Sequence, residues 1–179
     1  ITRQKILLSN ALGYSTSSSN DYGISDLEFK EPSFNLPNEY VTLVQNASWK
    51  TKQWSIPNWQ LLVKHLDNSG IEMILPSGNE EEYQRALKIS SFSEKAHVLR
   101  PLPLNQIAYI MKKAKFSVCS DTGLAHLSAL VNTPSITLYG PTDTKLIGTE
   151  GKNQLHLVGS NNNINSISVD DVISKLPSM

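Results

Sequence analysis

Ser120-Asp121-Thr122-Gly123-Leu124-Ala125-His126 is the stretch from which the predicted fold of this chain can be built. It follows the apolar run Phe116-Ser117-Val118-Cys119, which predicts a buried strand, and it opens the run 124–131, which predicts a helix. A strand that turns sharply into a helix through Thr122 and Gly123 leaves backbone N–H groups unpaired at the positive end of the helix dipole. A helix start of this kind is a favourable place for a phosphate to bind.

A plainer interpretation of the same stretch is a helix cap, in which Asp121 or Ser120 accepts the hydrogen bonds of those N–H groups. The residues alone leave both alternatives open. Asp121 ends a strand, where its carboxylate can also accept hydrogen bonds from sugar hydroxyls. Thr122 and His126 are four residues apart and share one face of the predicted helix. A single histidine on a helix is more often structural, so its position after an anion-type loop is the only sign of function.

Strands and helices alternate on both sides of this stretch. Strands are predicted over 40–46, 71–75, 97–99, 116–119 and 134–139, with 154–158 as a sixth, and helices over 1–12, 56–69, 80–90, 104–114, 124–131 and 168–175. A polar linker is expected over 14–20 and an extended segment over 21–40. This order predicts an α/β fold, a parallel sheet with helices on both faces.

In a parallel sheet, ligands bind beyond the carboxyl ends of the strands. The conspicuous loops all follow predicted strands, so we expect them to meet at one edge of the sheet; they cover 46–54, 76–80, 100–103, 120–126 and 139–144. The loop 46–54 offers Ser48 as a phosphate donor and Lys50 or Lys52 as a neutralising cation. Its plainer interpretation is a solvated loop that buries Trp54 as an anchor. Glu80, which opens a helix, can bind ribose hydroxyls or simply favour the helix dipole.

The overall composition excludes several classes of protein. The chain has 179 residues with 16 basic and 16 acidic side chains, and this zero net charge argues against a general nucleic-acid binder. A single cysteine, Cys119, excludes an internal disulfide and a zinc site built from cysteines. No glycine-rich dinucleotide or phosphate loop and no serine nucleophile elbow occurs. No metal site and no cofactor are predicted, and because the chain starts at Ile1 without methionine we expect a fragment of a longer protein.

Several motifs, taken together, resemble one family, the lipopolysaccharide heptosyltransferases of glycosyltransferase family nine. They occur in the family's order over roughly residues 41–158, and their succession is far more specific than any one of them. The motifs are Lys52-Gln53-Trp54, Leu75-Pro76-Ser77-Gly78-Asn79-Glu80, Asp121-Thr122-Gly123-Leu124-Ala125-His126, Leu138-Tyr139-Gly140-Pro141-Thr142-Asp143, Leu146-Ile147-Gly148 and Gly151-Lys152-Asn153-Gln154. The last two resemble the heptosyltransferase I branch most.

The resemblance implies a GT-B fold, two Rossmann-like domains that face each other across a cleft, of which this chain resembles the C-terminal, donor-binding half. On this basis the chain divides into an N-terminal helix and linker over 1–40, a Rossmann-like nucleotide-sugar-binding domain over 41–159, and a C-terminal loop and helix over 160–179. The implied reaction is inverting transfer of heptose from ADP-L-glycero-D-manno-heptose to Kdo of the lipopolysaccharide inner core, without a metal. The catalytic base, an aspartate, is implied in the absent N-terminal half, together with most acceptor contacts. The implied location is cytoplasmic, peripheral at the inner face of the bacterial inner membrane.

The resemblance also implies roles in donor binding. Ser48 and Lys52 would contact phosphate or sugar, Glu80 the ribose, Leu102 the adenine, Asp121 the heptose hydroxyls, and Thr122 and Gly123 the diphosphate, while His126 would complete the site. One departure matters: where relatives often carry two threonines, this chain has Ala47-Ser48 and lacks one hydroxyl.

Two alternatives remain at this stage. One is another GT-B glycosyltransferase or a sugar-nucleotide epimerase domain, which competition by ADP, UDP and GDP would distinguish. The other is a nucleotide-binding module without catalytic function.

Overall fold

The computed structural model describes residues 2–15, 23–24 and 27–177. Within them, the strands are β1 (Tyr40–Val44), β2 (Glu72–Leu75), β3 (Ala96–Val98), β4 (Ser117–Ser120), β5 (Ser135–Tyr139) and β6 (Gln154–Val158). The helices are α1 (Thr2–Leu12), α2 (Ile56–Asn68), α3 (Glu80–Ser90), α4 (Leu104–Lys113), α5 (Gly123–Leu130), α6 (Thr144–Ile147) and α7 (Val169–Ile173). Three short 3-10 turns, Lys50–Lys52, Ser160–Asn162 and Ile164–Ser166, complete the described elements.

The strands form one parallel sheet in the order β3-β2-β1-β4-β5-β6. This confirms the predicted α/β fold and shows that 154–158 is indeed the sixth strand. The order is that of a Rossmann-type sheet, in which the direction of winding reverses between the first and the fourth strand. The loops that follow β1 and β4 therefore diverge to opposite faces and leave a crevice between them.

The core occupies both faces of the sheet, since alternate strand residues point to opposite sides. On one face, Val41, Leu43 and Val118 pack with the apolar sides of α2, α3 and α7. On the other face, Val44 and Cys119 pack with α4 and α5. Both faces of the central strands are buried, so apolar residues occupy both sides of each strand, and the buried hydroxyls of Thr42 and Ser117 are hydrogen-bonded to each other at 2.6 Å.

Side-chain caps place most helix starts where the sequence predicted them. The Ser55 hydroxyl accepts from the Asn58 N–H at 3.2 Å at the start of α2, and the Asn79 side chain accepts from the Glu82 N–H at 2.9 Å at the start of α3. Each cap satisfies one of the N–H groups that have no partner within the helix. The boundaries predicted from sequence differ from those observed by one or two residues.

One region differs from the sequence prediction, and another lies largely outside the described residues. Residues 144–147 form helix α6, where the sequence predicted only a turn over 140–143; the Asp143 carboxylate caps it by accepting from the Lys145 N–H at 2.9 Å. The linker predicted over 14–20 lies largely outside the described residues, which omit 16–22. Residues 27–39 contain no helix or strand. The division of the chain at residues 40 and 159 stays a prediction.

Candidate functional site

An ion pair crosses the crevice between β1 and β4. The Nζ of Lys52, in the turn after β1, lies 2.7 Å from Oδ2 of Asp121, the first residue after β4. The Asp121 side chain is only 6% exposed and that of Lys52 only 20%. The Thr142 hydroxyl, from the loop after β5, donates to the same Asp121 oxygen. A carboxylate this buried needs such partners, because removing a charge from water is costly unless it is paired and hydrogen-bonded.

The ion pair forms part of a cavity of about 280 Å³, which we call the switch-point cavity. Its lining comes from the loop after β1, the start of α5 and the end of α6. The lining residues are Ser48, Trp49, Lys52, Asp121, Thr122, Gly123, His126 and Ile147. Six of the eight residues for which the sequence predicted donor binding are thus brought together here, by loops that are about 70 residues apart in the chain.

The start of α5 differs from those of α2, α3 and α7. Thr122 occupies the N-cap position with an extended backbone, and its side chain makes no capping hydrogen bond. The capping alternative considered from the sequence is not what the structure contains: the Asp121 carboxylate binds Lys52 and Thr142, and the Ser120 hydroxyl donates to the Gln45 carbonyl at 3.4 Å. Among the described residues, no side chain caps this helix; the Ala125 N–H donates to the Thr122 carbonyl at 3.0 Å, and Thr122 and Gly123 line the switch-point cavity.

Gly123 adds open space at the same helix start. Its φ is not positive, and a Cβ at this position would meet no described atom within 4 Å. Neither backbone conformation nor packing within the described chain therefore requires a glycine here. Glycine would allow a bound group to approach the backbone closely, which is a physical reason for the absence of a side chain at this position.

A second cavity of about 250 Å³, the apolar cavity, adjoins the first and shares Ser48 and Thr122 with it. Leu102, the residue predicted to lie near adenine, is in its lining. Most of the remaining lining is aliphatic, with a few polar groups: Val44, Asn46, Ala47, Pro76, Ser77, Gly78, Glu82, Leu104, Ile107 and Leu124. The two cavities together form a groove with a charged end and an apolar end, along the carboxyl edge of the sheet.

Glu80 lies in neither cavity. Its side chain is 62% exposed and pairs with Arg100 at 3.2 Å, and it also accepts from the Gln84 amide at 2.8 Å. Glu82, two residues on, faces the apolar cavity instead: its Oε2 accepts from the Gly78 N–H at 2.7 Å and from Asn46 Nδ2 at 3.3 Å. Three consecutive glutamates open α3, and the sequence carries no signal that selects among them.

Sequence reasoning assigned no role to three other residues at the site. The exposed Trp49 ring lines the switch-point cavity, and Lys52 Nζ lies 5.4 Å from its centroid, a cation–π distance. Ile147 lines the same cavity from α6, and Thr142 holds Asp121. Trp49 stood in the loop already singled out, and Thr142 stood in a recognised motif, but only their contacts reveal their place.

Hydrogen bonds on both sides of Trp54 and Gln53 hold the loop that carries Lys52 in place. Trp54 is fully buried, as the sequence predicted, and its indole N–H donates to the Ile167 carbonyl at 2.9 Å. The Trp54 carbonyl accepts from the Arg85 guanidinium at 2.6 Å, and burial lowers the pKa of Arg85. Gln53 Nε2 donates back to the Ala47 carbonyl at 2.8 Å. These bonds hold the backbone on which Ser48 and Lys52 stand.

Other candidate chemistry is lacking in the described part of the chain. Cys119 lies in β4 and is buried. Desolvation raises the pKa of its thiol, which keeps the thiol protonated and unreactive. The described residues contain no group of three or more His, Cys, Asp or Glu side chains that could hold a metal ion. None of the described helices has the length and apolar character required to cross a bilayer.

The fold and the groove together define an α/β domain with a candidate ligand site at the switch point of a Rossmann-type sheet. Comparison with known proteins identifies it further: the model of Glycosyltransferase family 9 (heptosyltransferase) matches residues 1–176, and the chain belongs to this family. The chain is 33% identical over 177 residues to lipopolysaccharide heptosyltransferase 1 of Salmonella typhimurium, covering 98% of this chain and 56% of that protein.

Two solved structures show the same fold at similar identity. E. coli heptosyltransferase WaaC with ADP matches with a TM-score of 0.86 and 34% identity, over 97% of this chain and 54% of that one. The same enzyme with ADP-2-deoxy-2-fluoro heptose matches with a TM-score of 0.80 and 31% identity, over 97% and 53%. The family resemblance seen in the motifs is thereby confirmed. The chain spans about half the length of the relatives that it matches.

Proposed function

We propose that this chain is the donor-binding half of an inverting heptosyltransferase, and that the groove binds ADP-L-glycero-D-manno-heptose. The observation that carries the proposal is the charged end of the groove, where the Lys52 ammonium and the uncapped start of α5 face one cavity. A diphosphate is the ligand group that such a pair favours, since the N–H groups, the helix dipole and the cation all attract anions. The similarity to WaaC structures with ADP and with an ADP-heptose analogue supports the same ligand.

The groove suggests how the rest of the donor would lie. Its apolar end, with Leu102, suits an adenine ring. The carboxylate assigned to the ribose is better sought in Glu82 than in Glu80, because Glu82 faces the cavity while Glu80 is paired with Arg100 at the surface. Asp121, beyond the diphosphate position, would accept hydrogen bonds from the heptose, and Ser48 and His126 would close the site.

In this proposal the chain supplies half of the chemistry. Transfer of the heptose releases ADP, and Lys52 with the start of α5 would stabilise the negative charge that develops on its diphosphate. The acceptor hydroxyl, on Kdo of a lipopolysaccharide precursor, also needs a base. We assign that base and most acceptor contacts to the other half of a GT-B enzyme, and place the reaction at the cytoplasmic face of the inner membrane.

Nucleotide titration of the 179-residue chain tests the proposal. Calorimetry should give tighter binding of ADP than of UDP or GDP, and binding should weaken about tenfold or more in Lys52→Met, because a charge-assisted contact to phosphate is lost. Lys64→Met, which removes an exposed lysine of α2, is the matched control and should bind ADP normally. Equal affinity for the three nucleotides, or none, would contradict the proposal.

A further inference from the structure

We propose that Thr142 is a positioning residue for the donor sugar, which acts through Asp121; this inference rests on the proposed function. The Thr142 hydroxyl donates to Asp121 Oδ2, the oxygen that also pairs with Lys52 Nζ at 2.7 Å. Both partners therefore hold the same oxygen. No described residue donates a hydrogen bond to the other oxygen, Oδ1, which keeps its lone pairs for a ligand.

The two partners of Asp121 have different tasks when a donor binds. An ammonium has three N–H donors on a flexible stem, so Lys52 can turn toward a diphosphate in the same cavity. The negative charge of the diphosphate competes with Asp121 for that cation. Thr142 is uncharged and is not attracted by the diphosphate. Its hydroxyl therefore continues to donate to the Asp121 carboxylate while Lys52 is shared with the diphosphate or turns away from Asp121.

The backbone that presents Thr142 is well suited to this task. Gly140, two residues before it, packs so closely that a Cβ there would lie 2.9 Å from the Thr51 carbonyl and 3.1 Å from the Ile164 backbone nitrogen. The next residue, Asp143, caps α6. The loop after β5 is thus fixed against the loop that carries Lys52. A threonine on this backbone places its hydroxyl with little conformational freedom, and its β-branched side chain adds further rigidity.

In this inference, the sugar and the nucleotide are recognised by different residues of the groove. Thr142 affects the orientation of Asp121 Oδ1 and therefore the recognition of a sugar hydroxyl. It is not among the residues that line either cavity, so it should not affect the nucleotide directly. Loss of its hydroxyl should lower the affinity for ADP-heptose while leaving the affinity for ADP unchanged.

Titration of the chain with ADP and with ADP-L-glycero-D-manno-heptose tests this inference. In Thr142→Val the ratio of the two affinities should fall by about fivefold to tenfold, the value of one ordinary hydrogen bond, because Thr142 acts on the sugar only through Asp121. Thr142→Ser restores a hydroxyl and should recover most of the ratio. The matched control is Thr144→Val, which changes a threonine two residues away whose hydroxyl makes no hydrogen bond to a described residue, and it should leave the ratio unchanged.

The outcomes separate this inference from the proposed function. If wild-type chain binds ADP and ADP-heptose but Thr142→Val keeps their ratio, Thr142 has no positioning role and the proposed function stands. An equal loss of both affinities in Thr142→Val also overturns the inference, since it indicates general damage to the site. If wild type binds neither ligand, the proposed function and the inference fail together.

Discussion

Lys52 and Asp121 form an ion pair of 2.7 Å across the switch point of the sheet, between the loops that follow β1 and β4. The two strands are neighbours in the sheet, although their sequences are far apart. The pair is largely shielded from water, so neither charge can be removed without consequences for the other. Under the proposed function, the pair therefore links the stability of this edge to the binding of the diphosphate.

Removal of the cation should destabilise the fold as well as weaken binding. Lys52→Met leaves the buried Asp121 carboxylate with Thr142 alone, and we expect a loss of about 1–3 kcal/mol in the free energy of unfolding. Asp121→Asn in the same background removes the stranded charge and should recover part of that loss. Urea unfolding of both single variants and the double variant measures the coupling; strictly additive effects would show that the pair is not coupled.

Substitution at Gly123 should separate binding from stability. Gly123→Ala places a methyl group in open space at the first position of α5, where alanine favours the helix, so stability should be retained or slightly raised. ADP affinity should nevertheless fall about tenfold, because the methyl group would enter the position that we propose for a phosphate. Thermal unfolding and calorimetry check the two effects.

Gly140→Ala is the contrasting variant. Its methyl group would meet the Thr51 carbonyl at 2.9 Å, so this substitution should destabilise the chain by about 1–3 kcal/mol. A loss of stability in Gly123→Ala as large as that in Gly140→Ala would contradict the explanation offered for Gly123.

Two adjacent tryptophans allow a matched test of the loop anchor. Trp54 and Trp59 are both fully buried and pack edge to face, with ring centroids 5.3 Å apart. Trp54 Nε1 donates to the Ile167 carbonyl, whereas Trp59 Nε1 has no hydrogen-bond partner among the described residues. Trp54→Phe should therefore cost about 1–2 kcal/mol more than Trp59→Phe, because it alone leaves a carbonyl without its donor.

The unfolding of these two variants in urea provides the comparison. Both substitutions remove a similar ring volume, so the cavity that each creates largely cancels in the difference. Equal costs would mean that the bond to Ile167 contributes nothing to holding the Lys52 loop.

The glutamates at the start of α3 should differ in nucleotide binding. Glu82→Gln alters the carboxylate that faces the apolar cavity, and we expect ADP affinity to fall about tenfold. Glu80→Gln alters only surface contacts with Arg100 and Gln84 and should bind ADP as wild type does. Calorimetric titration of both variants decides the assignment, which is reversed if Glu80→Gln is the weaker binder.

The capping box of α7 should give the chain a component of acid sensitivity. Hydrogen bonds from the Ser168 hydroxyl and backbone N–H to its carboxylate lower the pKa of Asp171 in the folded state. A carboxyl with a lowered folded pKa stabilises the fold at pH values above its unfolded pKa of about 3.9. This stabilisation is lost as the pH falls through the folded pKa.

Asp171→Asn should therefore lose less stability than wild type between about pH 6 and about pH 3. Asp170→Asn, on the same turn, is the control and should follow the wild-type profile, because no described group donates a hydrogen bond to its carboxylate. Identical profiles for all three chains would exclude the capping box as a source of acid sensitivity.

The elements of this fold were predictable because their causes are local. Apolar runs, Ser55 and Asn79 as caps, and the alternation of strands with helices all act within a few residues, and the parallel sheet follows from that alternation. Helix α6 was missed since its cap, Asp143, stands in a sequence that also suits a turn. The predicted meeting of the strand-end loops follows from topology alone and is confirmed by the contact between Lys52 and Asp121.

The candidate site was predictable only where a residue's position follows from the strand it succeeds. Asp121, Thr122 and Gly123 come directly after β4, Ser48 stands in the loop after β1, and the structure brings them to one cavity. Glu82 could not be distinguished from Glu80, because the phase of α3 relative to the loop after β1 depends on packing of the whole helix. Sequence similarity also does not indicate which neighbouring residues a side chain contacts.

Short-range patterns and motifs in a characteristic order were enough to predict the strands, all helices but α6, the edge of the sheet that carries the candidate loops and the family to which the chain belongs. Other contacts could be seen only in the folded chain: Thr142 and Lys52 share one oxygen of Asp121, and Trp54 is anchored to Ile167, 113 residues further along the chain. The physical reason is that hydrogen bonds and ion pairs of this kind depend on distances between loops, which packing of the complete sheet sets to within an ångström.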